Sequence, residues 1–110
     1  MKIESSKVSC LGIKFSIKQG DKEIARAFLY IMHNDLHNAP FGLMEDVFVE
    51  SGLRGLGIGM ELIKKIIEAA KEHGCYKLIA ASRHSRHKVH KLYKKLGFSN
   101  HGVEFRINFV

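Results

Sequence analysis

The sequence contains little cysteine and proline and no long hydrophobic run, and these shortages narrow its interpretation. Its two cysteines, Cys10 and Cys75, are too far apart to form a metal-binding or redox motif, so we expect two reduced thiols. No apolar run approaches the roughly 20 residues that a membrane-spanning helix needs. Residues 1–6 contain no apolar block of the signal-peptide type. We therefore expect a cytoplasmic protein without a membrane partner.

The length and the net charge of the chain limit the classes of protein to which it can belong. A chain of 110 residues with 45% hydrophobic residues predicts one small domain, residues 1–110, around a single core. Its net charge is +7, and the positive residues concentrate between Lys77 and Lys95. Such a segment is either a solvated helix face or a source of attraction for an anionic cofactor or substrate. No aromatic stacking pattern accompanies these charges, so we expect no nucleic-acid partner.

A glycine-rich segment between an apolar run and an amphipathic run is the most informative feature. It follows residues 47–49 and precedes the stretch from Met60 to Glu72, an order that indicates strand, turn and helix. The first N–H groups of a helix have no partner within it, and they carry the positive end of its dipole. Glycines let an anion approach these groups. The sequence therefore predicts a phosphate or diphosphate site, formed by Arg54, Gly55, Leu56, Gly57, Ile58 and Gly59.

Hydrophobic periodicity predicts the remaining elements. Alternating residues predict a hairpin of two strands at the start of the chain and a separate strand at its end, and spacings of three and four predict two helices. The predicted strands are 8–18, 24–32, 43–50, 76–81 and 103–109, and the predicted helices run from Gly57 to His73 and from about Ser85 to Gly97. The order β-β-β-α-β-α-β predicts an α/β protein of mixed α+β type, with a mixed sheet flanked by helices.

Three segments together resemble the GNAT superfamily of acetyl-CoA-dependent N-acetyltransferases. The first is Glu45-Asp46-Val47-Phe48-Val49 leading into Arg54-x-x-Gly57-x-Gly59, and the second is the long helix with the buried strand after it. The third is Leu92-Tyr93-Lys94-Lys95-Leu96-Gly97-Phe98, which is similar to the tyrosine-bearing helix end of that superfamily. The resemblance covers about residues 43–110 and implies a GNAT-like, largely antiparallel mixed sheet.

Within the superfamily, three shorter stretches are most similar to the glucosamine-6-phosphate N-acetyltransferases. They are residues 45–47, 73–77 and 97–104. The chain departs from that group at Val89, where the group carries asparagine, and at Asn108, where it carries a basic residue. Arg106 lies on the same face of the predicted strand as Asn108, and we take Arg106 and Glu104 as candidate substrate-binding residues. The resemblance implies a small primary amine as acceptor, with an amino sugar phosphate as one option.

The resemblance also implies direct transfer of an acetyl group from acetyl-CoA to the amine inside a ternary complex. The backbone of Val47, Phe48 and Val49 is expected beside the pantetheine arm, where one N–H group polarises the thioester carbonyl. Tyr93 is expected to give a proton or a hydrogen bond to the departing thiolate. The alternative for Tyr93 is a tyrosine that packs at a helix end.

A carboxylate is the candidate base, because an amine that is protonated at neutral pH must lose a proton before it attacks. Glu45 is the first candidate, acting through water, and Asp46 and Glu50 are weaker ones. A carboxylate on a strand is more often part of the solvated side of a sheet. His84, His87 and His90 recur at intervals of three and drift around a helix, and no cysteine or carboxylate completes a site, so we expect no metal.

Two other functions remain open from the sequence. One is a GNAT-like module that binds CoA without catalysis, and the other is an acetyltransferase of protein lysines or N-termini. The positive net charge favours anionic small molecules over protein substrates. The polar loop from His33 to Gly42 is the expected substrate loop, and a homodimer is expected by analogy, with a second subunit supplying part of the pocket wall.

Overall fold

The computed structural model describes residues 1–34 and 36–110. It divides into two compact units, Met1–Ala80 and Ala81–Val110. The first unit contains a sheet and a long helix, and the second contains a shorter helix and the C-terminal segment. No helix in the described part of the chain combines the length and the apolar character needed to cross a membrane.

The sheet of the first unit is mixed, as predicted. Its four strands within the described residues lie in the order β1-β2-β3-β4. Strands β1 to β3 are antiparallel neighbours, whereas β4 runs parallel to β3. Strand β4 pairs with β3 only from Gly42 to Met44, so most of β3 extends beyond it. The strands are β1 (Cys10–Gln19), β2 (Lys22–Met32), β3 (Phe41–Val49) and β4 (Leu78–Ala80).

Helix α1 (Ile58–Glu72) covers one face of this sheet, and its spacing of apolar residues explains why. Its buried residues, Leu62, Ile63, Ile66, Ala69 and Ala70, recur at intervals of three and four and so form one stripe. On β2, alternate residues point to the same side because the strand period is two. Those facing α1 are buried and apolar: Ala25, Ala27, Leu29 and Ile31. This layer is the core of the unit.

A bulge interrupts β3 in the middle of the predicted motif. Phe28 pairs with Glu45 and Arg26 with Phe48, so Asp46 and Val47 together face the single residue Ala27. Asp46 has a φ of 51°, the one non-glycine residue with positive φ in the described chain. Aspartate adopts this left-handed conformation more readily than most residues. The bulge bends β3 just after the part of the strand that pairs with β4.

Helix α2 (His87–Lys95) belongs to the second unit and ends in a Schellman motif. Phe98 N–H donates to the carbonyl of Tyr93 at 2.9 Å, and Gly97 N–H donates to that of Lys94 at 3.1 Å. The rings of Tyr93 and Phe98 are 5.1 Å apart, which is the hydrophobic contact that accompanies this cap. The Tyr-x-x-x-Gly-Phe ending therefore has a structural cause of its own.

The prediction of a strand at 103–109 was wrong. No strand forms there, and the apolar side chains are exposed, from 61% at Val103 to 92% at Phe109. A strand requires a neighbouring backbone to bond with, and alternation in the sequence reports only which face a segment can bury. The other predicted elements are present with ends shifted by a few residues, and the observed order is β-β-β-α-β-α.

Candidate functional site

The end of β3 has an open edge, because β4 stops opposite Met44. Glu50 N–H donates to the Ile24 carbonyl of β2 at 2.9 Å. Neighbouring residues of a strand direct their backbone groups to opposite sides, so Val49 directs its own away from β2. On that side, Arg54 Nε–H donates to the Val49 carbonyl at 3.0 Å. The backbone of residues 47–49, predicted to lie beside the pantetheine arm, thus follows an edge that no described strand occupies.

The predicted glycine turn lies between this edge and α1. Gly55 and Gly57 have φ values of 84° and 83°, a left-handed conformation that glycine adopts without steric cost. Gly57 is the N-cap of α1 and makes no side-chain cap hydrogen bond. The first intrahelical bond runs from Glu61 N–H to Gly57 at 3.1 Å. The three N–H groups before it, at residues 58–60, therefore have no partner within the helix and can bind an anion.

The strand edge and the helix start are adjacent. A β-carbon placed on Gly59 would lie 3.7 Å from Val49 Cγ2, an ordinary contact distance. The structure therefore joins the two predicted groups of cofactor-binding residues, 47–49 and 54–59, at Val49, which meets both Arg54 and Gly59. Sequence reasoning assigned Arg54 as a source of charge but missed its bond to Val49, because no pattern reveals which carbonyl a side chain reaches.

The three carboxylates proposed as bases have different surroundings. Glu45 is partly exposed on the sheet face opposite α1, where it pairs across the strands with Phe28. Asp46 is exposed in the bulge. Glu50 forms an ion pair with Lys22 at 2.6 Å. Glu50 therefore helps to fix the strand ends, whereas Glu45 lies on the sheet face opposite α1.

The sheet face opposite α1 carries aromatic and charged side chains. Phe28 and Tyr30 have nearly parallel rings, with centroids 6.2 Å apart and an interplanar angle of 5°. The Arg26 guanidinium lies 4.7 Å from the centroid of Phe48. Hydrogen bonding to the ammonium of Lys14 lowers the pKa of Glu23, whose carboxylate lies 2.7 Å from it. The alternation of β2 predicts this second face, although sequence reasoning used the strand only as a buried one.

The predicted substrate loop, His33 to Gly42, includes Asp35, which lies outside the described residues. Its described part contacts the chain just before β4. The rings of His37 and Tyr76 are 4.8 Å apart, and Tyr76 N–H donates to the carbonyl of the buried Pro40 at 3.0 Å. In the same segment, burial raises the pKa of the Cys75 thiol, which makes it less reactive.

In the second unit, Tyr93 is partly exposed and lies at the start of the Schellman cap. The histidines before it do not form a metal site within the described residues. His90 Nε2–H donates to the Arg83 carbonyl at 2.8 Å, and the rings of His87 and His90 meet edge to face at 6.1 Å. Residues 85–89 line an open hollow of about 460 Å³ at the start of α2.

The predicted substrate-binding residues Arg106 and Glu104 bond to each other, with Arg106 Nε–H donating to Glu104 at 2.7 Å. Both are exposed and lie on the segment that forms no strand. The pair is not part of a pocket wall within its own unit, because the segment around it is exposed throughout.

Comparison with known proteins assigns the family. Residues 8–98 match the sequence model of the acetyltransferase (GNAT) family. The chain is 38% identical over 68 residues to a probable glucosamine 6-phosphate N-acetyltransferase 2 of Oryza sativa subsp. japonica, covering 62% of this chain and 39% of that protein. It is 39% identical over 67 residues to glucosamine 6-phosphate N-acetyltransferase of Trypanosoma brucei brucei, covering 61% of this chain and 44% of that protein.

One similar solved structure carries the same enzyme name as these two relatives. The crystal structure of glucosamine-6-phosphate N-acetyltransferase from Arabidopsis thaliana superimposes with a TM-score of 0.80 at 28% identity, covering 90% of this chain and 67% of that one. The matches to the two curated relatives span less than half of their length. The mixed sheet, the glycine turn before α1 and the family match over residues 8–98 lead to one conclusion: this chain belongs to the acetyltransferase (GNAT) family.

Proposed function

We propose that this chain is an N-acetyltransferase that moves the acetyl group of acetyl-CoA to a primary amine of a small molecule. The observation that carries the proposal is the contact between the end of β3 and the start of α1, at Val49 and Gly59. It combines an open strand edge with a helix start that has free N–H groups. These are the two features that an extended cofactor with a diphosphate requires.

In this proposal the diphosphate binds at the start of α1. The N–H groups of residues 58–60 point out of the helix, and the helix dipole adds a positive potential there. Gly55, Gly57 and Gly59 carry no side chain that would hold the phosphates away. The exposed Arg54 keeps further N–H groups beyond the one bonded to Val49, and these add charge close to the phosphates.

The pantetheine arm then follows the edge of β3 beyond Met44. A backbone N–H of Val47 or Val49 donates to the thioester oxygen and stabilises its developing negative charge, whereas the N–H of Phe48 faces β2. One such donor contributes roughly 3–4 kcal/mol in enzymes where it has been removed. The cofactor lies toward the α1 side of this edge, and Glu45 lies on the opposite face. The two substrates therefore meet at the edge from opposite sides.

The chemistry is a direct acyl transfer. Glu45, through a water molecule, takes one proton from the amine, whose lone pair attacks the thioester carbon. The carbon–sulfur bond breaks, and Tyr93 donates a proton or a hydrogen bond to the departing thiolate. The nitrogen releases its second proton, which restores the phenol of Tyr93 or protonates the thiolate, so that the amide and CoA are both neutral at the reacting atoms. The products are an N-acetylated amine and CoA.

An amino sugar phosphate is the leading class of acceptor. The two curated relatives and the Arabidopsis structure are all named as enzymes that acetylate glucosamine 6-phosphate. The net charge of +7 suits a phosphorylated acceptor. Free cysteines at positions 10 and 75 support a reducing, cytoplasmic location.

We also propose that the chain forms a homodimer through its C-terminal segment. Phe105, Ile107 and Phe109 are 91%, 79% and 92% exposed, and they alternate with polar residues as on a strand that buries one face. Exposed apolar rows of this kind mark interaction surfaces. A second copy provides a backbone edge with which the segment pairs, and it buries these side chains.

The direct test is release of CoA, measured with a thiol reagent in the presence of acetyl-CoA and a panel of amines. The panel contains glucosamine 6-phosphate, glucosamine, an unbranched alkyl amine and a lysine peptide. We expect the fastest release with glucosamine 6-phosphate. Release only with the peptide indicates a protein acetyltransferase. CoA binding without release from any amine indicates a module without catalysis, and either result contradicts the proposal.

A further inference from the structure

We propose that one side of α2 is a capture surface for the acetyl donor, which speeds the approach of the donor from solution and does not contact it once it is bound. This surface, which we call the lysine face, consists of Lys88, Lys91, Lys94 and Lys95. It rests on the proposed acetyl transfer and adds the step that precedes it. The ligand class is a thioester that carries several phosphate groups, as acetyl-CoA does.

The net charge of the chain is confined to residues 73–110. Residues 1–72 carry ten cationic and ten anionic side chains, whereas residues 73–110 carry eight cationic side chains and one anionic side chain, that of Glu104. No Asp or Glu occurs between Glu72 and Glu104. The net charge of +7 therefore acts as a local field around this part of the chain and is not spread over the whole surface.

Helix α2 places half of these cations on one of its sides. Lys88, Lys91 and Lys95 follow each other at intervals of three and four residues and are therefore neighbours on the helix surface. Lys94 is three residues after Lys91 and lies beside them. All four side chains are exposed. The other side of the helix carries partly exposed apolar residues, namely Val89, Leu92 and Leu96.

The charge of the lysine face is not neutralised by neighbouring carboxylates. Within residues 1–34 and 36–110, none of its ammonium groups forms an ion pair. Helix α1 differs, because Lys64 lies 3.6 Å from Glu61 and Lys65 lies 3.9 Å from Glu68. A helix face that serves only solubility commonly mixes both signs of charge, as α1 does. Like charges three or four residues apart destabilise a helix, and a polyanion relieves that repulsion.

The role proposed for Tyr93 brings this field close to the donor. Tyr93 belongs to the same helix, and every member of the lysine face lies within about 8 Å of it along the helix axis. Charges act over about 10 Å at 0.1 M salt, so the lysine face attracts the phosphates of a donor whose thioester reaches Tyr93. Charges that act without contact change the association rate and leave the dissociation rate nearly unchanged.

The test measures binding of etheno-CoA, a fluorescent derivative that keeps all the phosphates of CoA, by stopped flow on three proteins. They are the unmodified chain, the double variant Lys91→Gln with Lys95→Gln, and the control variant Lys7→Gln with Lys18→Gln. The control removes the same net charge from exposed lysines that lie before and within β1, and neither of them forms an ion pair in the part of the chain that the structure describes.

We expect the Lys91 and Lys95 variant to associate about fivefold more slowly than the unmodified chain at about 0.02 M salt, and at nearly the same rate at about 0.5 M salt, because salt screens the field. Its dissociation rate, measured by displacement with excess CoA, should stay within about twofold of the unmodified value. The control should associate at nearly the unmodified rate at both salt concentrations.

Equal slowing in the two double variants would attribute the effect to net charge alone and overturn the lysine face. Faster dissociation in the Lys91 and Lys95 variant would show direct contact with the bound donor and overturn a role confined to its approach, and an association rate that does not change with salt would exclude capture by charge. If etheno-CoA associates as expected but no amine is acetylated, the proposed transfer fails while the capture surface stands.

Discussion

At the scale of single residues, side chains that the sequence names as candidates for the site make contacts that fix local structure. Arg54 was expected to supply charge, and it also bonds to the Val49 carbonyl and fixes the glycine turn to β3. Tyr93 was expected near the leaving thiolate, and it also forms the hydrophobic contact of a helix cap. Motifs report residue types and spacing, whereas hydrogen bonds of a side chain depend on tertiary geometry. The positive φ of Asp46 was likewise invisible in the sequence.

The role of Tyr93 in catalysis can be separated from its role in the cap. Tyr93→Phe keeps the ring that contacts Phe98 and removes only the hydroxyl group. We expect kcat to fall by roughly 10²-fold, the lower range for a general acid, with CoA affinity within twofold. Steady-state kinetics and CoA titration measure the two quantities. Full turnover in Tyr93→Phe would show that the tyrosine is only a packing residue.

The base is tested by the pH dependence of the rate. Glu45→Gln preserves the size of the side chain and removes its ability to accept a proton. We expect kcat/KM to fall by about 10²-fold and the acid limb of its pH profile to change shape. Glu50→Gln is the control, because Glu50 is paired with Lys22 and should leave the profile unchanged. An identical profile in Glu45→Gln and the unmodified chain would exclude Glu45 as the base.

At the scale of elements, the features that sequence patterns predicted correctly are those set by interactions between residues a few positions apart. The apolar stripe of α1, its glycine start and the glycine after its end were all predicted, because propensity and capping act over a few residues. The segment 103–109 was predicted as a strand and is not one, because pairing requires a distant partner. The sheet was predicted as mixed, but the limited pairing of β4, which creates the open edge, has no signal in the sequence.

The glycine turn provides a matched pair of variants. Gly57→Ala and Gly74→Ala each place a side chain on a backbone with positive φ, at opposite ends of α1, with no atom within 4 Å. Each should lower the free energy of unfolding by roughly 1–2 kcal/mol, the cost of a left-handed conformation for alanine. Only Gly57→Ala should weaken CoA binding, by about tenfold, because only this β-carbon lies at the proposed diphosphate site. Isothermal titration measures the affinities, and an equal loss in both variants would attribute the effect to stability.

At the scale of the whole molecule, the chain has the sheet and long helix of its family in one compact unit and a separate helical unit after it. Most of the net charge belongs to the second unit, where Arg83, Arg86 and several lysines are concentrated. The C-terminal segment of that unit carries exposed apolar residues. The sequence predicted the charge cluster, because the positions of arginine and lysine are visible in it. The division into two units could not be predicted, because it depends on contacts between residues that are far apart in the sequence.

The proposed homodimer can be tested through this segment. We expect sedimentation at micromolar concentration to show a dimer for the unmodified chain and a monomer for the double variant Phe105→Ser with Phe109→Ser. Asn108→Ser lies on the other face of the segment and should remain dimeric. A monomeric unmodified chain, or a double variant that stays dimeric, would contradict assembly through residues 103–109.

The most direct measurement is a titration of the isotopically labelled protein with CoA, followed by NMR of the backbone amides. Binding of the diphosphate at the start of α1 predicts the largest shifts at Ile58, Gly59 and Met60, with further shifts at Val47 to Val49. The absence of any shift at millimolar CoA, or shifts confined to other parts of the chain, would contradict the proposed cofactor site and the acetyl transfer that depends on it.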